Sequence, residues 1–126
     1  MATKGKYVDG FVIPIPKKNT ASYKKMATEG SKVWKKFGAL DYKECIIDDV
    51  KPPFVTLTFP KMVKTKPSEQ VWFSFIVFKS RAHRDSVNKK VMAYFAKKYG
   101  QQDMSKGMPF DMNRFSFAGF KVVVTS

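Results

Sequence analysis

Val71-Trp72-Phe73-Ser74-Phe75-Ile76-Val77-Phe78 runs directly into Lys79-Ser80-Arg81-Ala82-His83-Arg84-Asp85. The first piece reads as a strand. Val71, Phe73, Phe75 and Val77 point to one face, and Trp72, Ser74, Ile76 and Phe78 to the other. Both sets are bulky and apolar, so the strand belongs inside a sheet and needs cover on both sides. Ser80 is a good cap for a helix over residues 80–99, with Val87, Val91, Tyr94 and Phe95 facing inward.

Upstream, residues 7–16 read as a first strand rich in Tyr, Val, Phe and Ile, with Pro14 and Pro16 at its end. Asn19 or Thr20 caps a helix whose stripe holds Tyr23, Met26, Ala27, Val33, Trp34 and Phe37, and Gly38 stops it. Leu40–Val50 reads as a second strand. Glu44 shares a face with Leu40, Tyr42 and Ile46, and is expected near an edge, reaching water. Residues 51–68 form a long excursion with room for a short extra strand at Phe54–Phe59; it is expected to cover a pocket or reach a partner. Downstream, Gly100 ends the second helix, residues 101–113 connect, and 114–124 form the last strand with Ala118, Phe120, Val122 and Val124 on one face.

The whole is 126 residues: a flexible leader over 1–6 and a single domain over 7–126. The leader is polar and unlike a signal peptide, and no segment is apolar enough to enter a membrane. Twenty-four basic residues against 10 acidic ones give a net charge of +14. That favours polyanions, but the lysines fall in pairs on every element, as on a solvated surface. The lone cysteine, Cys45, excludes an intrachain disulfide and fits a reducing cytoplasm. One His and one Cys do not make a transition-metal set, and no glycine-rich phosphate loop or other cofactor motif is present.

Strand, helix, strand, strand, helix, strand is the ferredoxin-like βαββαβ order of an α+β fold. Right-handed crossovers put both helices on one face of an antiparallel sheet. The other face is left bare, with Phe73 and Phe75 on it. Burying four such side chains is worth on the order of 6–12 kcal/mol. A second copy packed sheet to sheet, as an isologous homodimer, is the simplest cover.

Tyr7-Val8-Asp9-Gly10-Phe11-Val12, then Phe78 through Asn88, then Met108-Pro109-Phe110-Asp111, then Gly119-Phe120 resemble the YbaA-like family of small bacterial proteins, in the family's order. The resemblance implies the fold of the dimeric α/β barrels, and no assigned activity.

The chemistry-bearing residues cluster at the start of the second helix. His83, Arg81 and Asp85 are the catalytic candidates, with Asn88 beside them; a helix N-terminus carrying Arg and His suits a carboxylate or phosphate. Arg81 and Asp85 alternatively form a surface pair, and His83 bonds a loop. Asp9 interrupts the first strand and needs a fixed partner, with Arg114 expected; Asp9, Asp111, Arg114 and Asn88 are candidate ligand-binding residues. The leading reading is a small anionic ligand held, or turned over, between helices and sheet. The rival is RNA. Phe73, Phe75 and Phe78 occupy the third, fifth and eighth places of an RNA-recognition octamer, although Val71 and Trp72 depart from its pattern. Base stacking needs open rings, so RNA and a second copy compete for one face.

Overall fold

A computed structural model describes residues 5–100 and 108–126. Strand β1 spans Tyr7–Pro16, helix α1 Thr20–Lys36, β2 Asp41–Ile46, a short α2 Phe59–Met62, β3 Glu69–Phe78, α3 Arg81–Tyr99 and β4 Ser116–Lys121. All neighbouring strands are antiparallel, in the order β2-β3-β1-β4. With α2 set aside, this is the ferredoxin-like arrangement.

Helices α1 and α3 cover one face. Ile76 and Phe78 pack with Val33, Val87 and Val91, while Trp72, Ile13 and Ile15 pack with Tyr23 and Ala27. The periodicities of strand and helix thus converge on one core. Gly38 (φ +117°) and Gly100 (φ +76°) end the two long helices in backbone conformations that L side chains avoid.

The sheet is open. β2 and β4 are its edges and do not pair, so it neither closes nor curls into a barrel. The dimeric α/β barrel implied by the family resemblance is therefore corrected.

Element boundaries also differ from the sequence reading, and β4 starts at Ser116, two residues after the expected 114. β2 stops at Ile46, four residues short of Val50. The excursion holds no strand at Phe54–Phe59: Pro52, Pro53 and Pro60 break the ladder, and Thr58 caps α2 by accepting from the Lys61 amide at 3.4 Å. β4 ends at Lys121. Val122 still donates its amide to the Lys6 carbonyl, but Val123 and Val124 are 85% and 86% exposed. The connection over 101–113 lies partly outside the described residues.

The face away from the helices carries Val8 and Val12 of β1, Phe73, Phe75 and Val77 of β3, and Phe120 of β4. Phe73 is 40% exposed and Phe120 56%. Among the strand residues of this face Lys43 is the one cation, and it pairs with Asp41 at 2.7 Å.

Gly119 faces Asp9 across the β1–β4 ladder and lies against the buried Tyr7. A Cβ there would sit 2.8 Å from Tyr7 Cε2 and closer still to its hydroxyl, whereas at Gly10 the nearest atom, of Phe120, is 3.4 Å away. Gly119→Ala is therefore expected to cost about 1–3 kcal/mol in urea denaturation. Adding Tyr7→Phe should restore part of the loss, and Gly10→Ala should cost less than Gly119→Ala.

Candidate functional site

Ser80 sets the phase of α3 by accepting the His83 amide at 3.0 Å. Val87 and Val91 then face the sheet, and Arg84 and Asn88, four apart, lie on one stripe beside them. Both meet Asp9, which is 1% exposed on β1. Arg84 Nη1 donates to Asp9 Oδ1 at 2.7 Å and its Nε to Asp85 Oδ1 at 2.8 Å, with the guanidinium 5.1 Å over the Tyr7 ring. Asn88 Nδ2 donates to Asp9 Oδ2 at 3.4 Å, and Asn88 Oδ1 accepts from Trp34 Nε1 at 2.9 Å. A continuous polar chain thus runs from α1 through α3 to β1. Burial pushes the Asp9 carboxyl above its ordinary range, against the opposing pull of Arg84 and Asn88.

The partner expected for Asp9, Arg114, is elsewhere. It precedes β4 near the far end of β1, where its Nη1 donates to Glu69 at 2.6 Å and its Nη2 to the Lys64 carbonyl at 2.8 Å. Asp111 caps the turn over Met112–Arg114 by accepting the Asn113 amide at 2.9 Å. Asp9 and Asn88 are therefore brought together, and Asp111 and Arg114 sit apart from them. Asp85 turns to Arg84 and not to Arg81.

His83 is held by its own loop. Its Nδ1 accepts the Lys79 amide at 3.0 Å, and its ring meets Phe78 edge-on at 5.9 Å. The other side of the ring faces Gly38, where a Cβ would come within 3.3 Å of Nε2. Burial, then Lys79 and Lys90, lower its pKa, so the neutral ring that this hydrogen bond requires is favoured.

A second carboxylate, half-buried and held by phenols, was not expected. Glu44 lies on an edge strand but faces the helices, where Tyr23 donates at 2.8 Å and Tyr42 at 2.7 Å. Burial raises its pKa in spite of these donors, and burial beside the carboxylate pushes both phenols well above their usual range. The reading that placed Glu44 in water missed the Tyr23 hydroxyl, which the α1 stripe brings over β2.

Between helices and sheet, Asp9 and Glu44 are thus held by neighbouring side chains, while the indole N–H of Trp72 is buried without a partner among the described residues. Two cavities lie outside this layer. One, of about 390 Å³, opens at the start of α3 and is lined by Lys6, Tyr7, Lys79, Arg81, Gly119 and Lys121, together with Ser80. The other, of about 440 Å³, lies on the open face between the end of β2, the excursion and Phe73. Of the sequence candidates, Arg81 lines one of these two cavities and the others line neither; Lys6, Tyr7, Lys79 and Lys121 were missed, because they converge only through β1–β4 pairing. Among the described residues no group of three His, Cys, Asp or Glu is placed to hold a metal ion, and no helix is long and apolar enough to cross a membrane.

These features define an open-sheet α+β domain with a polar tether under its helices and a basic recess at one helix start. The chain belongs to the family described as Protein of unknown function (DUF1428), whose model matches residues 6–112. It is similar to the Uncharacterized protein YbaA of Escherichia coli (strain K12) and of Shigella flexneri, 37% identical over 119 residues, which is 94% of this chain and 97% of each relative.

Two outcomes test the tether and the second carboxylate. Arg84→Ala leaves Asp9 buried without its cation and is expected to cost about 3–5 kcal/mol in equilibrium unfolding. Glu44 has a folded pKa above its unfolded value, so its contribution is complete below the unfolded pKa and is lost as pH rises through the folded one. The stability of Glu44→Gln relative to the parent should accordingly improve between pH 4 and pH 7, read by urea titrations at both.

Proposed function

We propose that the protein binds a small anionic ligand of phosphate-ester size at the start of α3. The carrying observation is the recess itself: Lys6, Lys79, Arg81 and Lys121 line it, and no carboxylate does. None of the four is in an ion pair among the described residues. Asp85, the nearest acidic residue in sequence, is diverted to Arg84 and leaves Arg81 its full charge. The positive end of the α3 dipole adds to the field. Tyr7 supports the reading further. It is 7% exposed and lines the recess with its phenol.

Binding and not turnover is the reading this recess supports. His83, the residue best suited to proton transfer near neutral pH, is engaged with the Lys79 amide and does not line it. Calorimetric titration with inorganic phosphate and pyrophosphate at low salt tests the proposal. Both should bind, pyrophosphate more tightly, and Arg81→Glu should weaken either by about tenfold or more, since it removes one charge-assisted contact and adds a repulsive one. Equal affinity in Arg81→Glu and the parent would remove the site.

A second reading concerns the open face. Its strands are apolar and carry one cation, already paired, in a chain of net charge +14. An RNA platform joins stacking rings to a basic groove. This face has the rings without the groove, which supports a second copy as its cover, packed sheet to sheet. Multi-angle light scattering should give twice the chain mass at micromolar concentration. A monomer that binds short RNA, with binding abolished in Phe73→Ala, would reverse the choice. The single exposed Cys45 suits a reducing cytoplasm as the setting.

A further inference from the structure

The excursion between β2 and β3 presents an apolar side chain with nothing to pack on and also lines an apolar cavity. Phe54 is fully exposed, and its backbone sits at φ +69°, a left-handed conformation that a bulky residue adopts only at a cost. A strained turn that holds a phenyl ring out in water gains nothing inside its own protomer. The cavity of about 440 Å³ is lined by Ile46, Val50, Val55, Leu57 and Phe73 among others, and is larger than one phenyl ring needs.

Charge is arranged to match. Asp48 and Asp49 line the same cavity, and no cation lines it. Among the described residues, every other carboxylate has an ion pair or a side-chain hydrogen bond, and these two have neither. Lys51, three residues before Phe54, has no ion pair among the described residues either. One short segment thus carries a ring and a positive charge that its own cavity does not take up, and the adjoining segment lines an apolar hollow with two negative charges. Knob and hole on one chain are what a two-fold contact requires. The cavity is also continuous with the open sheet face through Val71 and Phe73, which belong to both.

We propose that Phe54 of a second copy fills this cavity, with Lys51 of that copy meeting Asp48 and Asp49, so that each protomer supplies one knob and completes the other's pocket. The proposal rests on the homodimer reading and adds the contact that locks it.

Cys45 makes the contact testable, because it lines the cavity and is the chain's single cysteine. A Phe54→Cys/Cys45→Ser variant is mixed with the parent protein and oxidised with copper phenanthroline. A covalent heterodimer should form, and peptide mass spectrometry should join position 54 of one chain to Cys45 of the other. In parallel, Phe54→Gly should relax the strained turn and keep or raise the thermal midpoint, while raising the dimer dissociation constant by about tenfold or more, read by sedimentation velocity. A dimer that persists unchanged in Phe54→Gly and gives no such cross-link overturns the knob contact and leaves sheet-to-sheet pairing standing. A parent protein that stays monomeric overturns both. A monomer whose cavity takes up an apolar dye equally in the parent and Phe54→Gly assigns the cavity to a small apolar ligand instead.

Discussion

The ion pair between Asp9 and Arg84 is the contact on which the rest of the molecule depends. A carboxylate buried on an interior strand is tolerable only if a cation reaches it in the dry interior. Arg84 does so from α3, and Asn88 joins the same carboxylate to Trp34 of α1. One acidic residue therefore fixes the rotation of α3, the seating of α1 and the relation of both to the sheet. Apolar packing alone would tolerate a helix turned by some tens of degrees; a buried charge with a single cation in reach does not.

That saturation has a functional corollary. Asp9 and Glu44 are paired with their donors beneath the helices, so neither carboxylate is free to meet a ligand there. The accessible chemistry moves to the rims: the basic recess at the head of α3 and the apolar hollow beside the excursion. The two differ in kind. Cations alone supply the charge of the first; two carboxylates and no cation line the second. A strongly basic chain thus keeps its positive charge off its open sheet face.

Much of the fold was legible because its determinants are local. The two-sided apolar run of β3, the Ser80 cap, the α1 stripe and the stop at Gly38 each follow from neighbours within a few residues. The partner of Asp9 was also within reach. Counting from the inward Val87 and Val91 puts Arg84 and Asn88 toward the sheet, and Arg81 and Asp85 away from it. Glu44 was misplaced because its ligands, Tyr23 and Tyr42, come partly from another element. The basic recess was invisible for the same reason: Lys6, Lys79 and Lys121 meet only once β1 lies between β3 and β4. Barrel closure was carried over from the family resemblance, and the two free edges decide it. The excursion misled through its β-prone residues, which the flanking prolines override.

The free margin of β4 has a consequence for handling the protein. All six residues of that strand are exposed, and beyond the half-buried Val122 the next two valines continue the apolar run into solvent. Unprotected backbone beside such side chains is a template on which further chains add as cross-β stacks. No proline or bulge blunts it, and Lys121 is its one charged residue. What holds molecules apart is mutual repulsion between bodies that each carry many uncompensated lysines. Concentrated electrolyte or a polyphosphate shortens the range of that repulsion and invites precipitation along this margin.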